Sequence, residues 1–402
     1  VETIMLTTVD PAAPLDDLEP LAAAVRRARV VAIGENAHMV REFYRFRHRL
    51  LRFLAERCGF TAFAMESGFS EGLAVDAWTR GGPGELDTLA RDHITYTMGR
   101  CPEMREHLTW MRAGGLRFFG VDVPGSTASP LSALDGVQRY LAALDADGAA
   151  LVDRLRADVL QFASEHALRS HAAYAALEPA LRDRITAGFA DLAARFDALE
   201  VDYADASGPA AYRVARHELR LAVLLDQALR SYAARIGGDT AHPKVAARDR
   251  GMAETIGWLL DTLPPDTRIV LGAHNSHIQR TPVRTPAFAL SAMGHHLAHR
   301  LGEEYLTIAV TATAGTTSSH RADPDSPSGV AIAAAPLDPP VDGSAEAAYA
   351  PSTLTDLRPL RGEPGGPDRI RIMNVYQEAP ITAAYDFVAN LPHITTTEQV
   401  TA

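Results

Sequence analysis

The sequence predicts an α/β protein: a mostly parallel central sheet flanked by helices, with a large helical insertion forming a cap over the carboxyl ends of the strands. Three observations predict it. Five short apolar runs read as strands buried on both faces. Helical patterns separate the first of these runs, which gives a βαβ frame. Between the third and fourth runs, residues 130–263 carry helical patterns and no convincing strand.

The five runs are residues 30–34 (VVAIG), 61–65 (TAFAM), 116–120 (LRFFG), 268–272 (RIVLG) and 305–310 (YLTIAV). None alternates cleanly between apolar and polar, as a strand with one wet face does. A sixth run, 369–373 (RIRIM), does alternate and reads as an edge strand. Residues 40–57 place Phe43, Phe46, Leu50, Phe53 and Leu54 on one helical stripe. Residues 212–235 do the same with Leu221, Leu224, Leu225, Leu229 and Tyr232, and residues 245–260 with Val245, Met252, Ile256, Leu259 and Leu260. The expected organisation is therefore 1–129 as the first part of the core, 130–263 as the helical cap, and 264–402 as the second part. Within the last part, residues 313–368 are rich in Gly, Pro, Ser, Asp and Ala, and are expected to form a long loop, either a functional lid or mobile. After Pro380 at most a short element is expected.

Composition narrows the function. The 402 residues carry 39 basic and 50 acidic side chains, a net charge of −11, which argues against a nucleic-acid partner. Two cysteines exclude a disulfide framework, and no CxxC motif is present. No apolar run approaches the ~18 residues of a membrane span. The first residues lack the basic and apolar regions of a signal peptide, and the missing initiator Met reads as processing or trimming. A soluble, cytoplasmic protein is expected. There is no GxSxG elbow, no GxxxxGK[ST] loop and no GxGxxG after the first strand, so no motif supports a serine hydrolase of that type or a nucleotide cofactor.

Ligands of open α/β sheets bind outside the carboxyl ends of the strands. The first run is followed by Glu35 and His38, the second by Glu66 and Ser67, the third by Asp122, and the fourth by His274, Ser276 and His277. If the strands are parallel, these residues share one edge. Each alone has an ordinary structural explanation, such as a helix cap for Glu35 or Asp122. Together they point to acid–base chemistry, because imidazole titrates near neutrality and carboxylates orient it. Two charges also break their patterns: Arg47 and Asp249 fall on the apolar stripes of their helices. A buried charge calls for a buried partner. For Arg47 the available acids are Glu35, Glu66 and Asp249.

These segments resemble the erythromycin esterase family. The resemblance rests on GENAH at 34–38, Glu42-Phe43 and Arg47, Glu66, RDRGMAE at 248–254, AHNSH at 273–277 and Met293-Gly294. It runs from about residue 29 to 312. It implies an α/β core with a helical cap, and ester or lactone hydrolysis by water, with His38 as general base and no covalent Ser. On that likeness Glu35 or Glu66 orients the imidazole, and His274 polarises the carbonyl or donates a proton, with His277 supporting. Arg47 or a second imidazole is the candidate oxyanion stabiliser. One departure stands out: the family usually has Gly after the catalytic His, where this sequence has Met39, expected at the pocket mouth.

The partner implied is a small ester or lactone, and no cofactor is required. Other chemistries fit the same residues. A biosynthetic homologue uses such a site for non-hydrolytic acyl transfer, cyclisation or elimination. A metallohydrolase is the third reading, since Glu35, His38, Glu66, His274 and His277 are all possible zinc ligands. A non-catalytic protein that sequesters an apolar metabolite is the fourth. Oligomeric state has no signal in the sequence.

Overall fold

The computed structural model describes residues 2–239, 245–284, 289–323, 325–326 and 330–400. Among them a nine-stranded sheet is the central layer. Its strands are β1 (Thr3–Met5), β2 (Val30–Ile33), β3 (Ala62–Gly68), β4 (Arg117–Asp122), β5 (Ile269–Gly272), β6 (Tyr305–Ala322), β7 (Val330–Pro336), β8 (Thr353–Asp356) and β9 (Phe387–Ile394). The order is β1-β8-β9-β6-β2-β5-β3-β4, with β7 laid against β6. From β9 to β4 every neighbouring pair is parallel. Strands β1, β7 and β8 pair antiparallel.

The five expected runs form β2 to β5 and the start of β6. Alternate residues of these strands point to opposite faces, and both faces are covered. Val31, Ile33, Phe63, Met65 and Phe118 pack with Phe43, Phe46, Leu50, Phe53 and Leu54 of helix α1 (Arg41–Cys58). Val30, Ala32, Ala62 and Ala64 pack on the other side with Met252, Ile256 and Leu259 of the helix Ala247–Thr262. Apart from Thr61, Arg117 and Arg268 near the strand starts, these runs are buried on both faces, so polar alternation is absent. Val245 does not join that stripe: it precedes the helix and is 45% exposed.

Six helices follow β4: Leu131–Leu141, Ala146–Val159, Ala167–Ala176, Pro179–Ala198, Glu200–Ser207 and Pro209–Ile236. They enclose a core of their own, including Leu134, Val152, Phe189, Leu192, Leu221 and Leu225. Residues 240–244, within the stretch expected as cap, lie outside the described residues. No helix among the described residues is long and apolar enough to cross a membrane.

The stretch 313–368 differs from the expected loop. β6 continues to Ala322, β7 folds back along it from Thr316↔Pro336 to Ala322↔Val330, and β8 joins the sheet. Only residues 324 and 327–329 of the stretch lie outside the described residues. Small Ala, Ser and Thr side chains conceal a strand whose hold is backbone pairing, which does not depend on apolar side chains. The run 369–373 is a strand, but Arg369–Ile372 pairs with Val375–Glu378 in a separate hairpin, not in the main sheet. The tail contributes β9, an interior strand between β8 and β6.

Strands β3 and β4 approach closely where the site begins. A Cβ added at Gly120 would lie 2.1 Å from the carbonyl oxygen of Gly68. Gly120→Ala is expected to lower stability by about 1–3 kcal/mol through overpacking. A urea midpoint equal to that of the parent chain would contradict this account.

Candidate active site

Parallel pairing of β2, β5, β3 and β4 brings the four strand ends to one edge, as the sequence required. A cavity of about 450 Å³ lies between this edge and the inserted helices. His38, Glu66, Arg248, His274 and His277 line it from the sheet side. His166, His171, Tyr232 and Arg235 line it from the insertion, and Ser318 and His320 from β6. The turn after β5 is pinned by Asn275, whose Nδ2 donates to the Val310 carbonyl (2.9 Å) while its Oδ1 accepts from the Val310 N–H (3.1 Å). His274 and His277 flank this anchor.

His38 is held from one side. Its Nδ1 lies 2.7 Å from Glu35 Oε1, and Arg47 Nη1 donates to Glu35 Oε2 at 2.8 Å. Burial pushes the Glu35 carboxyl up, but Arg47 and His38 outweigh it and hold it below its ordinary value. Glu35 is therefore ionised and can only accept, so Nδ1 of His38 carries the proton. Nε2 lies 3.8 Å from Glu66 Oε1, beyond direct hydrogen-bond distance. Burial lowers the His38 pKa, while Glu66 and Glu35 raise it more, so it sits above the ordinary 6.5. Tyr96 stacks on the imidazole with ring centroids 5.6 Å apart.

Behind Glu66 lies a second set of charges. Arg248 Nη2 donates to Glu66 Oε1 (2.8 Å) and to Asp122 Oδ2 (2.7 Å), and its Nε donates to Asp122 Oδ1 (3.0 Å). The backbone N–H of His274 donates to Glu66 Oε2 at 2.7 Å. His277 Nε2 is 3.3 Å from Glu66 Oε1, and its Nδ1 is 2.8 Å from Asp249 Oδ1, which also accepts from the Met293 N–H. Burial opposes charge on His277, yet Asp249 and Glu66 push its pKa up to about 10. It is an imidazolium at neutral pH. Glu66 in turn is held well below the carboxylate range by His277, His38 and Arg248, against its burial.

The structure brings together His38, Glu35, Glu66, His274, His277, Arg47 and Asp249, with different standing. Of the partners open to Arg47, the structure selects Glu35. It is buried behind Glu35 and does not line the cavity, so it does not face a reacting oxyanion. Asp249 pairs with His277. His274 lines the cavity, but both ring nitrogens are engaged: Nδ1 accepts from the Ser276 N–H (3.2 Å) and Nε2 lies 2.8 Å from the Asn36 carbonyl. Burial and neighbouring His38 push its pKa down to about 4. It is thus neutral, protonated on Nε2. Met39 is buried and adopts φ +58°, the left-handed region that glycine occupies without strain. Tyr44 Oη accepts from its N–H and the Thr397 N–H donates to its carbonyl.

Ser67 is buried with its Oγ accepting from the Thr95 N–H, and Ser276 does not line the cavity. Among the described residues, no three His, Cys, Asp or Glu side chains are grouped to hold a metal ion. Glu66 instead faces a guanidinium. Sequence reasoning missed Arg248, Tyr96, Ser318 and His320 at the site. Arg248 had a signal, since it adjoins Asp249 and opens the RDRGMAE segment of the resemblance, but residue type and spacing do not show that it reaches Glu66 and Asp122. The other three sit outside any recognisable pattern.

The family model described as Erythromycin esterase matches residues 55–393. Erythromycin esterase type II of Escherichia coli is 27% identical over 409 aligned residues, covering 96% of this chain and 94% of the relative. Erythromycin esterase type I of Escherichia coli is 27% identical over 385, covering 93% and 92%. Among solved structures, an erythromycin esterase mutant in its open conformation superposes with a TM-score of 0.89 at 24% identity, covering all of both chains. A succinoglycan biosynthesis protein gives 0.73 at 20%, covering 98% of this chain and 95% of that one.

The pKa of His277 generates a stability prediction. It is raised from 6.5 to about 10 in the folded chain. Its stabilising contribution is therefore complete below pH 6.5 and is lost as pH rises towards 10. In thermal melts, the parent chain should exceed His277→Gln most below pH 6.5, and the gap should close with rising pH. A gap constant across that window would contradict the charged pair.

Proposed function

The chain belongs to the erythromycin esterase family, and from that premise we propose that it cleaves an ester or lactone of a polyketide-like natural product with water activated at His38. The observation that carries this reading is the Arg47–Glu35–His38 chain of contacts. With Nδ1–H donated to Glu35, the lone pair is on Nε2, the nitrogen a general base needs. Water loses its proton to Nε2 as its oxygen attacks the carbonyl carbon. The tetrahedral intermediate then collapses, the C–O bond breaks, and Nε2–H returns the proton to the leaving alkoxide. No serine is acylated.

Arg248 and protonated His277 supply the positive potential at the sheet edge that a developing oxyanion requires. Glu66 strengthens His38 as a base and keeps those two cations in place. His274 acts as a positioning residue, clamping the Asn36 carbonyl and with it the turn that carries Glu35 and His38. The substrate is a small molecule of mixed apolar and polar surface, which suits the lining of the cavity. A macrolide-like lactone meets that description.

The reading is tested on erythromycin and a panel of macrolactones and aryl esters. His38→Ala is expected to lower kcat by about 10²–10⁴-fold with the fold retained, and full activity in that variant would sink the proposal. Activity should rise with pH through the His38 pKa, above 6.5, because the neutral imidazole is the base. Glu35→Gln removes a carboxylate that raises that pKa, so its acid limb should move to lower pH while kcat falls. An acid limb that stays in place would separate Glu35 from His38. Oxygen-18 from water should appear in the acid product. Its absence would favour acyl transfer or elimination over hydrolysis.

A further inference from the structure

His38 borders two cavities. Besides the chamber of about 450 Å³, a second of about 280 Å³ also has His38 in its lining. The two share His38, Tyr96, His166, Ala167 and His320. The stacked His38–Tyr96 pair, His166 and Ala167 from the insertion, and His320 from β6 thus lie at the border the two chambers share, with the proposed base among them. The smaller chamber adds apolar Met39, Ala128 and Ile332, with exposed Arg100 and Glu165 among its remaining residues.

A second observation points to the same chamber. Met39, Tyr96 and Thr97 hold φ values of +58°, +55° and +58°. Left-handed backbone at non-glycine residues is strained by about 1–2 kcal/mol each and persists where the surroundings over-determine it, as at ligand clamps. All three residues line the smaller chamber. Tyr96, held in this conformation, stacks on His38 at the border the two chambers share.

We propose that the smaller chamber is a second substrate subsite, so that the scissile ester lies at this shared border, beside His38, with a sizeable group on each side of it. The group in the smaller chamber is compact and of mixed character, with an apolar face for Met39, Ala128 and Ile332 and polar substituents for Arg100 and Glu165. Its partner across the ester occupies the larger chamber, towards Tyr232 and Arg235. This rests on the ester-cleaving reading and adds to it that simple one-sided esters are poor ligands.

The test uses His38→Ala protein, which binds without turnover, and two probes: 2-naphthyl acetate, bulky on one side, and 2-naphthyl cyclohexanecarboxylate, bulky on both. Calorimetry should find the second bound about tenfold or more tightly, the increment of one buried ring. Adding Ile332→Trp, which fills the smaller chamber, should erase that preference while affecting the acetate less. Ile332→Phe should act in the same direction if the tryptophan variant does not fold. Equal affinity for the two probes, including none for either, overturns the subsite, as does an equal loss on both in the filled variant. Turnover by the parent chain is measured separately. Cleavage of esters with equal probe affinities removes only the subsite, whereas no cleavage of any ester removes the hydrolase reading and the subsite with it.

Discussion

The buried contact between Arg47 and Glu35 is the constraint on which the rest of the site depends. Glu35 sits where burial favours a neutral carboxyl. A neutral Glu35 could donate a hydrogen bond, and the tautomer of His38 would be undetermined. The guanidinium at 2.8 Å keeps Glu35 ionised and acceptor-only, so the imidazole must present Nδ1–H to it. Arg47 itself is almost wholly buried, with its guanidinium 4.6 Å from the centre of the Tyr44 ring. Removing one partner of such a pair strands the other charge, typically at about 3–5 kcal/mol. A charge in the apolar stripe of α1 thus has its buried partner in Glu35, one layer above.

Glu66 ties a second layer to the first. Its carboxylate meets Arg248, the His274 N–H and His277, and lies near Nε2 of His38. Glu66 itself lies near the end of β3, while Arg248 comes from the helix Ala247–Thr262, His274 and His277 from the turn after β5, and His38 from the segment after β2. The parallel sheet makes such convergence possible, because it ends adjacent strands at one edge. The strand ends and the helix Ala247–Thr262 therefore carry His38, Glu66 and Arg248, while the inserted helices and β6 supply the facing walls of the cavity.

Much of this was legible in the sequence because burial leaves a periodic trace. Fully apolar runs gave away β2 to β6, and the polar residues just after them marked the edge. Arg47 and Asp249 were legible as charges in the wrong place, and each does have a buried or half-buried partner. Strands β7 and β8 were not legible, because small and polar residues such as Ala333 and Thr353 are held by backbone pairing; in β9, Asn390 and Pro392 interrupt the apolar run of Phe387, Val388 and Leu391. The engagement of both His274 nitrogens was invisible for another reason. It depends on the Asn36 carbonyl and a turn, and neither has a residue-type signal. Met39 was visible as a departure where the family usually has Gly, but its consequence, a strained left-handed residue lining a second chamber, follows only from the folded backbone.

The protonation pattern of His38 tests the central claim most directly. In selectively ¹⁵N-labelled protein above the His38 pKa, the ring nitrogens report which one bears the hydrogen. The account predicts Nδ1 protonated and Nε2 with the chemical shift of a bare nitrogen, with this pattern weakened in Glu35→Gln. A neutral His38 protonated on Nε2 would contradict it, since the proposed base would then have no lone pair to offer to water.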